Sequence, residues 1–349
     1  MLLKRIAKTT ILSLLHDVQR LFGLDPVGRN GIYILMYHRI CEERYEPEIA
    51  LSADFFEQQM RYLRERYQVI SLEQALDRLG TEPDRPLFVV TFDDGYRDNL
   101  LTAYPILRRY EVPATIFITC DHIESGVTSW HRMDKAIRRT SLQALDLTSA
   151  GLAGFPLSNH FERRQAIRSL HRLLKRLEDG RRLEIMREIG ERCGAVPDER
   201  IMLNWDEVRD LAAGGLVTIG SHTLSHPILT RISTERASRE IGESRKLIEA
   251  RIGRPVLHFS YPNGQPDDIS SDVVDLVRQS GYRSACTTLP GRNDRRSDPL
   301  ALRRLDVTYG LCESFTGRFS NRMFVIGLAA EAAKGEDYLA AHAPRPEPC

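Results

Sequence analysis

The apolar run Leu87-Phe88-Val89-Val90 leads through Thr91-Phe92 into two adjacent carboxylates, Asp93 and Asp94, and then Gly95. No other stretch constrains the fold of this chain as strongly. A continuous apolar strand without polar alternation is one covered on both faces, as in a parallel sheet flanked by helices. Two like charges at its end repel each other and lose hydration unless a metal, a proton-transfer role or hydrogen bonds compensate. The plain alternative is an Asp-Gly turn with incidental acids. In a β/α fold, however, the strand's C-terminal edge is where chemistry is carried.

A second feature lies far downstream, where Val217-Thr218-Ile219-Gly220 runs into Ser221-His222-Thr223-Leu224-Ser225-His226-Pro227. His222 and His226, four residues apart, share a face if the chain turns helically there. Two imidazoles and one carboxylate suit zinc and similar divalent ions and leave positions free for water and substrate. Alone, the pair could be two surface histidines. Together with the Asp-Asp strand end it points to a hydrolytic metal centre.

The 349 residues carry a formal net charge of only +1, with 42% hydrophobic and 28% charged residues. That balance fits a soluble globular protein with a large core and gives no footprint for nucleic acid. The six cysteines (Cys41, Cys120, Cys193, Cys286, Cys312 and Cys349) are scattered, without a C-x-x-C, and fit free thiols in a reducing compartment. No span is long and apolar enough to cross a bilayer. Residues 2–23 resemble a signal peptide only faintly, because His16 and Asp17 interrupt the apolar run. They read as an amphipathic helix that packs on its own domain or lies on an anionic membrane or partner. The location expected from this is cytoplasmic, with peripheral association at the inner membrane as its extension.

Taken in order, a strand at Ile32–Tyr37 ends in His38. Helices follow from the Ser52 cap and from a Ser71/Gln74 capping box. The Asp-Asp strand leads into a helix over 99–110 with Pro105 near its first turns, then strand 114–119. Residues 130–200, rich in arginine and leucine, predict a helical insertion beside the cleft, with Trp130, His131 and Asp134 as possible lining and His160 and His171 on the surface. Asn204 and Glu207 cap the next helix. Then come the His-bearing strand, a helix over 233–252, strand 256–260, the loop Tyr261-Pro262-Asn263-Gly264, helix 270–280, strand 284–288, a last strand over 301–305 and a helix over 322–335. The expected class is α/β: a distorted seven-stranded (β/α) barrel over 31–320 with a helical insertion, preceded by the helix of 1–30 and followed by a C-terminal helix and flexible tail over 321–349. A doubly wound open sheet is the runner-up. His38, Asp93, Asp94, His222, His226 and the 261–264 loop all follow strands, and in a barrel those ends meet on one face.

These motifs resemble the polysaccharide deacetylase family, also called the NodB-homology or carbohydrate esterase family 4 domain. The likeness rests on Thr91-Phe92-Asp93-Asp94-Gly95, Ser221-His222-Thr223-Leu224-Ser225-His226 and Tyr261-Pro262-Asn263-Gly264, and covers roughly residues 31–310. The resemblance implies a metal-dependent hydrolase that removes acetyl groups from an amino sugar. It implies Asp93 as general base, Asp94, His222 and His226 as metal ligands, and a backbone N–H near Asn263 as oxyanion donor. The expected ion is Zn2+, with Co2+, Ni2+ or Fe2+ also compatible with the donor set. It further implies a bacterial source and a cell-envelope or exopolysaccharide pathway, with an acetylated glycan as partner.

Two departures stand out. Ser260 occupies the place of the family's arginine that braces the base, which leaves Arg97 or another arginine to substitute. The family's late Leu-x-His motif is absent after residue 258. The motif Met36-Tyr37-His38-Arg39-Ile40 resembles a subgroup, similar to poly-N-acetylglucosamine deacetylases, that carries the acid histidine early. His38 is therefore the expected general acid, with His258 as its competitor. Two alternatives stand beside N-deacetylation: an O-acetyl esterase or non-sugar amidase using the same centre, and a non-catalytic carbohydrate- or metal-binding protein. The sugar and the oligomeric state are not written in the sequence.

Overall fold

The structure is a computed structural model and describes residues 27, 30–42, 49–81, 83–147, 151–194, 199–314 and 316–342. The helix expected over 2–23 and the end of the tail lie outside the described residues.

The chain opens with β1 (Ile32–Tyr37), the short parallel pair β2 (Arg39–Ile40) and β3 (Ala50–Leu51), helix α1 (Ala53–Arg66), β4 (Gln68–Val69) and α2 (Leu72–Leu79). Ser52 caps α1, and Ser71 with Gln74 forms the capping box of α2 as expected. After β5 (Leu87–Phe92) the expected single helix is split. A π-helical turn over Asn99–Ala103 precedes α3 (Tyr104–Arg109), because Pro105 lacks the N–H to continue an α ladder upstream and fits only the first turn of a new one. Next come β6 (Ala114–Ile118), α4 (Cys120–Ser125), α5 (Ser129–Arg139), the antiparallel β7 (Ala144–Leu147) and β8 (Leu152–Pro156), α6 (His160–Leu174) and α7 (Asp179–Cys193). The remainder is α8 (Trp205–Ala213), β9 (Val217–Ser221), α9 (Thr234–Ile252), β10 (His258–Ser260), α10 (Ser271–Gln279), β11 (Ser284–Cys286), β12 (Leu305–Asp306), α11 (Tyr309–Cys312) and α12 (Asn321–His342).

The main strands form one curled parallel sheet in the order β11-β10-β9-β6-β5-β1-β12, with β4 attached to β5. Segment 302–306 brings its two edges together. Leu302 bridges to Cys286 at β11, while Leu305 and Asp306 pair with Leu35 and Met36 of β1. The fold is thus the distorted seven-stranded (β/α) barrel expected. The last strand is shorter than expected, because residues 303–304 pass between the two edges rather than pairing as a strand.

Period-two alternation divides the sheet residues between two cores. Tyr33, Leu35, Phe88, Val90, Ile116, Ile219 and Phe259 face the surrounding helices. Ile32, Ile34, Leu87, Val89, Phe117 and Cys286 point inward, and Leu72, Ala75 and Leu79 of α2 plug that end of the barrel. Gly220 makes room for the inward Phe117 ring, since a Cβ there would lie 2.4 Å from Phe117 Cδ1.

The region expected to be helical contains a hairpin, β7–β8, as well as three helices. It packs its own core from Ile137, Leu147, Leu170, Ile185 and Ile189 among others. Among the described residues no helix is long and apolar enough to cross a membrane.

Candidate metal centre and active site

At the C-terminal ends of β1, β5, β9 and β10 the polar residues converge. Asp93 extends the β5 ladder by donating its N–H to Tyr37 O at 3.0 Å. It therefore shares the inward face with Thr91. Its side chain is 2% exposed, yet it is not an isolated charge. Arg304, with no exposed surface, binds it with two parallel hydrogen bonds, Nη1 to Oδ1 and Nη2 to Oδ2, each 2.7 Å. Such a bidentate pair is the strongest geometry available to a buried carboxylate. Arg304 is held in turn by Thr287 O at 2.8 Å from Nε, and its Nη2 donates to Ser260 Oγ at 2.9 Å. Ser260 Oγ lies 3.3 Å from Asp93 Oδ2 as a further donor. Burial alone would push the Asp93 carboxyl up, but Arg304, followed by His222, reverses this and leaves it below the ordinary carboxylate range.

The arginine missing at position 260 is thus supplied from the segment that joins the barrel edges. Arg97, the substitute named from sequence, instead pairs with Glu207 at 2.7 Å. Arg304 was assigned no role from sequence, although one signal was there. Of the adjacent Arg303 and Arg304 in the last strand expected from sequence, period-two alternation turns one inward, and it can stay there only if a buried acid meets it.

Asp94 follows in the left-handed region at φ +74, uncommon for a side-chain-bearing residue and a mark of a functional constraint. Its Oδ1 lies 3.3 Å from His226 Nε2 and 3.7 Å from His222 Nε2. One ligand atom from each of Asp94, His222 and His226 falls within 4.8 Å of the others. His222 is buried, and its Nδ1 is 2.7 Å from Ser260 O, which makes that nitrogen the donor and leaves Nε2 as a lone-pair ligand. Burial also lowers its pKa to about 4, favouring neutral imidazole. Burial opposes the Asp94 charge, but hydrogen bonding and attraction from His226, His38 and His222 hold its pKa well down. An ionised carboxylate and two nitrogen donors form a set that fits a divalent ion with open positions.

Residues 222–226 do not turn helically; they form a loop in which Thr223 and His226 have φ of +71 and +61. The rings nonetheless meet, with centroids 4.8 Å apart. His122 on α4, which the sequence did not single out, stacks on His226 at 5.7 Å.

His38 follows β1, and Asp98 and Asn99, just beyond the Asp-Asp strand end, fix the chain around it. Asn99 Nδ2 donates to His38 O at 2.8 Å, Asp98 Oδ1 accepts from Ile40 N at 3.0 Å, and Asp98 Oδ2 pairs with Arg39 Nε at 3.0 Å. His38 lies near enough to Asp93, Asp94 and Asp306 to influence all three carboxyls, which places it beside the same cleft. His258, by contrast, is 1% exposed, bonds Ser284 Oγ through Nδ1 at 2.9 Å and lies 3.2 Å from Glu73 on α2, toward the plugged end. Asn263 sits at φ +60, its loop fixed by Asp268, which accepts from the Asn263 side chain and from Gln265 N. Within the insertion, Asp134 is buried and pairs with His171 at 2.8 Å, while the Trp130 ring packs at a tilt against that imidazole with centroids 4.6 Å apart. Asp134 and Trp130 are therefore packing residues of the lobe, and His171 is not a free surface histidine. His160 is exposed.

Burial depresses His222 and His258 to about 4 and His122 to about 3, from 6.5. The folded state keeps these rings neutral, while the unfolded chain takes up protons near pH 6.5. Their contribution is therefore complete above that pH and is lost as pH falls toward ~4. The lowered Asp93 and Asp94 act in the same direction. Urea unfolding of the metal-free protein should show steadily falling stability from pH 7 to pH 4.5, and a flat profile would refute the neutral buried histidines.

A parallel β/α barrel with an Asp-His-His centre beside a second, arginine-paired carboxylate defines a metal-dependent hydrolase site. Residues 80–285, well over half the chain, match the family model described as polysaccharide deacetylase. The chain belongs to the polysaccharide deacetylase family. Among curated proteins, it is 23% identical over 293 residues to YxkH of Bacillus subtilis (strain 168), covering 83% of this chain and 76% of that protein. A Staphylococcus aureus (strain N315) poly-beta-1,6-N-acetyl-D-glucosamine N-deacetylase is 26% identical over 147 residues, 38% of this chain and 49% of that protein. Of solved structures, the Streptococcus pyogenes deacetylase PplD in complex with acetate superposes with a TM-score of 0.55 at 18% identity, covering 82% of this chain and 96% of that one. IcaB from Ammonifex degensii gives 0.53 at 18% identity, with 86% and 97% covered. At such identity these two establish the shared fold.

Proposed function

We propose that the protein hydrolyses N-acetyl groups on an amino sugar within a glycan or glycoconjugate, using a divalent ion, with zinc as the first choice. The observation that carries this reading is Asp93. A protein that merely binds metal needs Asp94, His222 and His226, but has no use for an additional buried carboxylate beside them. Because Arg304 braces Asp93, the serine at position 260, where the family carries its arginine, gives no support to a non-catalytic reading. The early Tyr37-His38 motif and the similarity to an N-deacetylase of poly-N-acetylglucosamine favour an amide over an ester and an exopolysaccharide or cell-envelope glycan as substrate.

A divalent ion held by Asp94, His222 and His226 would polarise the acetyl carbonyl and acidify a water. Asp93 accepts that water's proton as it attacks the acetyl carbon. The backbone N–H near Asn263 donates to the developing oxyanion, where preorganised donors contribute most. His38 gives a proton to the leaving nitrogen, without which an amine is a very poor leaving group. The C–N bond breaks, yielding acetate and a free amino sugar.

The test is metal content and product analysis after loading with Zn2+, Co2+ or Ni2+. About one ion per chain is expected, lost in His226→Ala. Acetate and new amine should appear in equal amounts from N-acetylglucosamine oligomers. Acetate without amine from an O-acetylated glycan would favour the esterase alternative. A wild-type protein that binds none of the three metals would defeat the ligand assignment.

A further inference from the structure

The loop that carries His226 has no regular structure to hold it, yet it contains two side-chain-bearing residues, Thr223 and His226, in the left-handed region. Such conformations are disfavoured for residues with side chains and persist only where surrounding contacts over-determine them. The hydroxyl of Thr223 supplies one contact by accepting from His226 N at 3.0 Å. The rest come from α9. Glu240 on that helix is 5% exposed, and its carboxylate faces the loop. Oε2 accepts from Leu224 N at 3.0 Å and from Ser225 N at 2.9 Å, while Oε1 accepts from the Ser225 hydroxyl at 2.5 Å. Three donors on one carboxylate, two of them backbone N–H groups, form a clamp stronger than neutral hydrogen bonds would give.

The clamp is also connected outward. Arg236, one turn earlier on α9, places Nε 3.8 Å from Glu240 Oε1 and donates through Nη2 to Asp179 Oδ2 at 2.6 Å. Asp179, 1% exposed at the start of α7, also pairs with Arg182. The ligand loop, α9 and the helical lobe are thus joined through consecutive charged contacts.

We infer that Glu240 is a positioning residue of the metal centre: by clamping Leu224 and Ser225 it holds the strained loop that brings His226 toward His222 and Asp94, and through Arg236 and Asp179 it ties that loop to the helical lobe. The inference rests on the reading of those three residues as metal ligands. Outer contacts of this kind typically govern metal affinity by 10–100-fold.

The experiment uses the full chain stripped of metal and titrated with Co2+ against a competing chelator, with the visible Co2+ spectrum and far-UV circular dichroism recorded alongside. Glu240→Ala should weaken Co2+ binding by about 10–100-fold and alter the spectrum. Glu240→Gln, whose amide oxygen can still accept both backbone N–H groups, should recover affinity to within roughly threefold. Glu243→Ala, an exposed position on the same helix that pairs with Lys246, should leave affinity and spectrum unchanged. If Glu240→Ala does not fold, Ser225→Ala removes only the hydroxyl contact and should still weaken binding by roughly threefold to tenfold. Wild-type affinity and spectrum in a folded Glu240→Ala, or in Ser225→Ala where the first variant fails to fold, would overturn the inference while leaving the metal reading intact. A wild-type chain that binds no Co2+ would remove both together.

Discussion

Replacing Asp93 with asparagine is expected to reduce acetate release by about 10²–10⁴-fold while the metal stays bound. The two side chains have nearly the same shape, so the exchange tests charge and basicity rather than space. Asp93 is not among the three converging ligand atoms, and its two oxygens are committed to Arg304 and Ser260. Metal content should therefore be close to wild type. An amide at this position cannot accept the proton of the attacking water, and it presents an N–H to at least one donor of Arg304. Some loss of stability should accompany the loss of rate, and denaturant midpoints measured in parallel separate the two. Retention of both metal and full acetate release in Asp93→Asn would remove this residue from the role of base.

The parts of the site that could be read from sequence are those whose signal is local. An apolar run ending in Asp93 and Asp94 announces a buried parallel strand, and hydrophobic β1 ending in His38 announces its neighbour. The strand-end rule then places both on one face without knowledge of contacts. Arg304 was hidden because its meaning is non-local. It is paired with a residue 211 positions away, across the seam where segment 302–306 joins β11 to β1. Periodicity reports which face a residue takes, not which strands become neighbours at closure. The conformation of the loop between His222 and His226 was hidden for a related reason. Four-residue spacing suggested a helical turn, but contacts from Glu240 on a distant helix stabilise left-handed Thr223 and His226 instead. In the insertion, Leu145 and Leu147 do alternate with exposed neighbours and Gly151 does mark a turn, but Gly154, at φ +80, lies within β8 rather than in a loop. The surrounding arginine- and leucine-rich helical pattern outweighed that four-residue signal. Asp134 and His171 looked independent because their pairing spans 37 residues.

Arg304→Ala should be among the most damaging single substitutions in this chain, and for a different reason from Asp93→Asn. It removes the partner of a carboxylate that is 2% exposed, leaving an uncompensated buried charge. Breaking a buried pair from one side costs about 3–5 kcal/mol. The same change removes the largest influence that lowers the Asp93 pKa, so burial then pushes that carboxyl upward. With Arg304 present, the Asp93 contribution to stability is complete above the unfolded carboxylate range and is lost only as pH falls through its lowered value. Without Arg304, folding favours the protonated acid, so the Asp93 contribution to stability should rise as pH is lowered through the raised value, opposing the loss from the buried histidines. The acid limb of the activity profile should also move to higher pH. Adding Asp93→Asn to Arg304→Ala removes the stranded charge, so the double variant should be more stable at neutral pH than Arg304→Ala alone, even though it also lacks the Asp93 carboxylate. Urea unfolding of the wild type, the two single variants and the double variant measures this coupling directly. Strict additivity of the two losses would mean that Arg304 acts through its contact with the Phe117 ring and its hydrogen bond to Thr287 O rather than through the Asp93 charge.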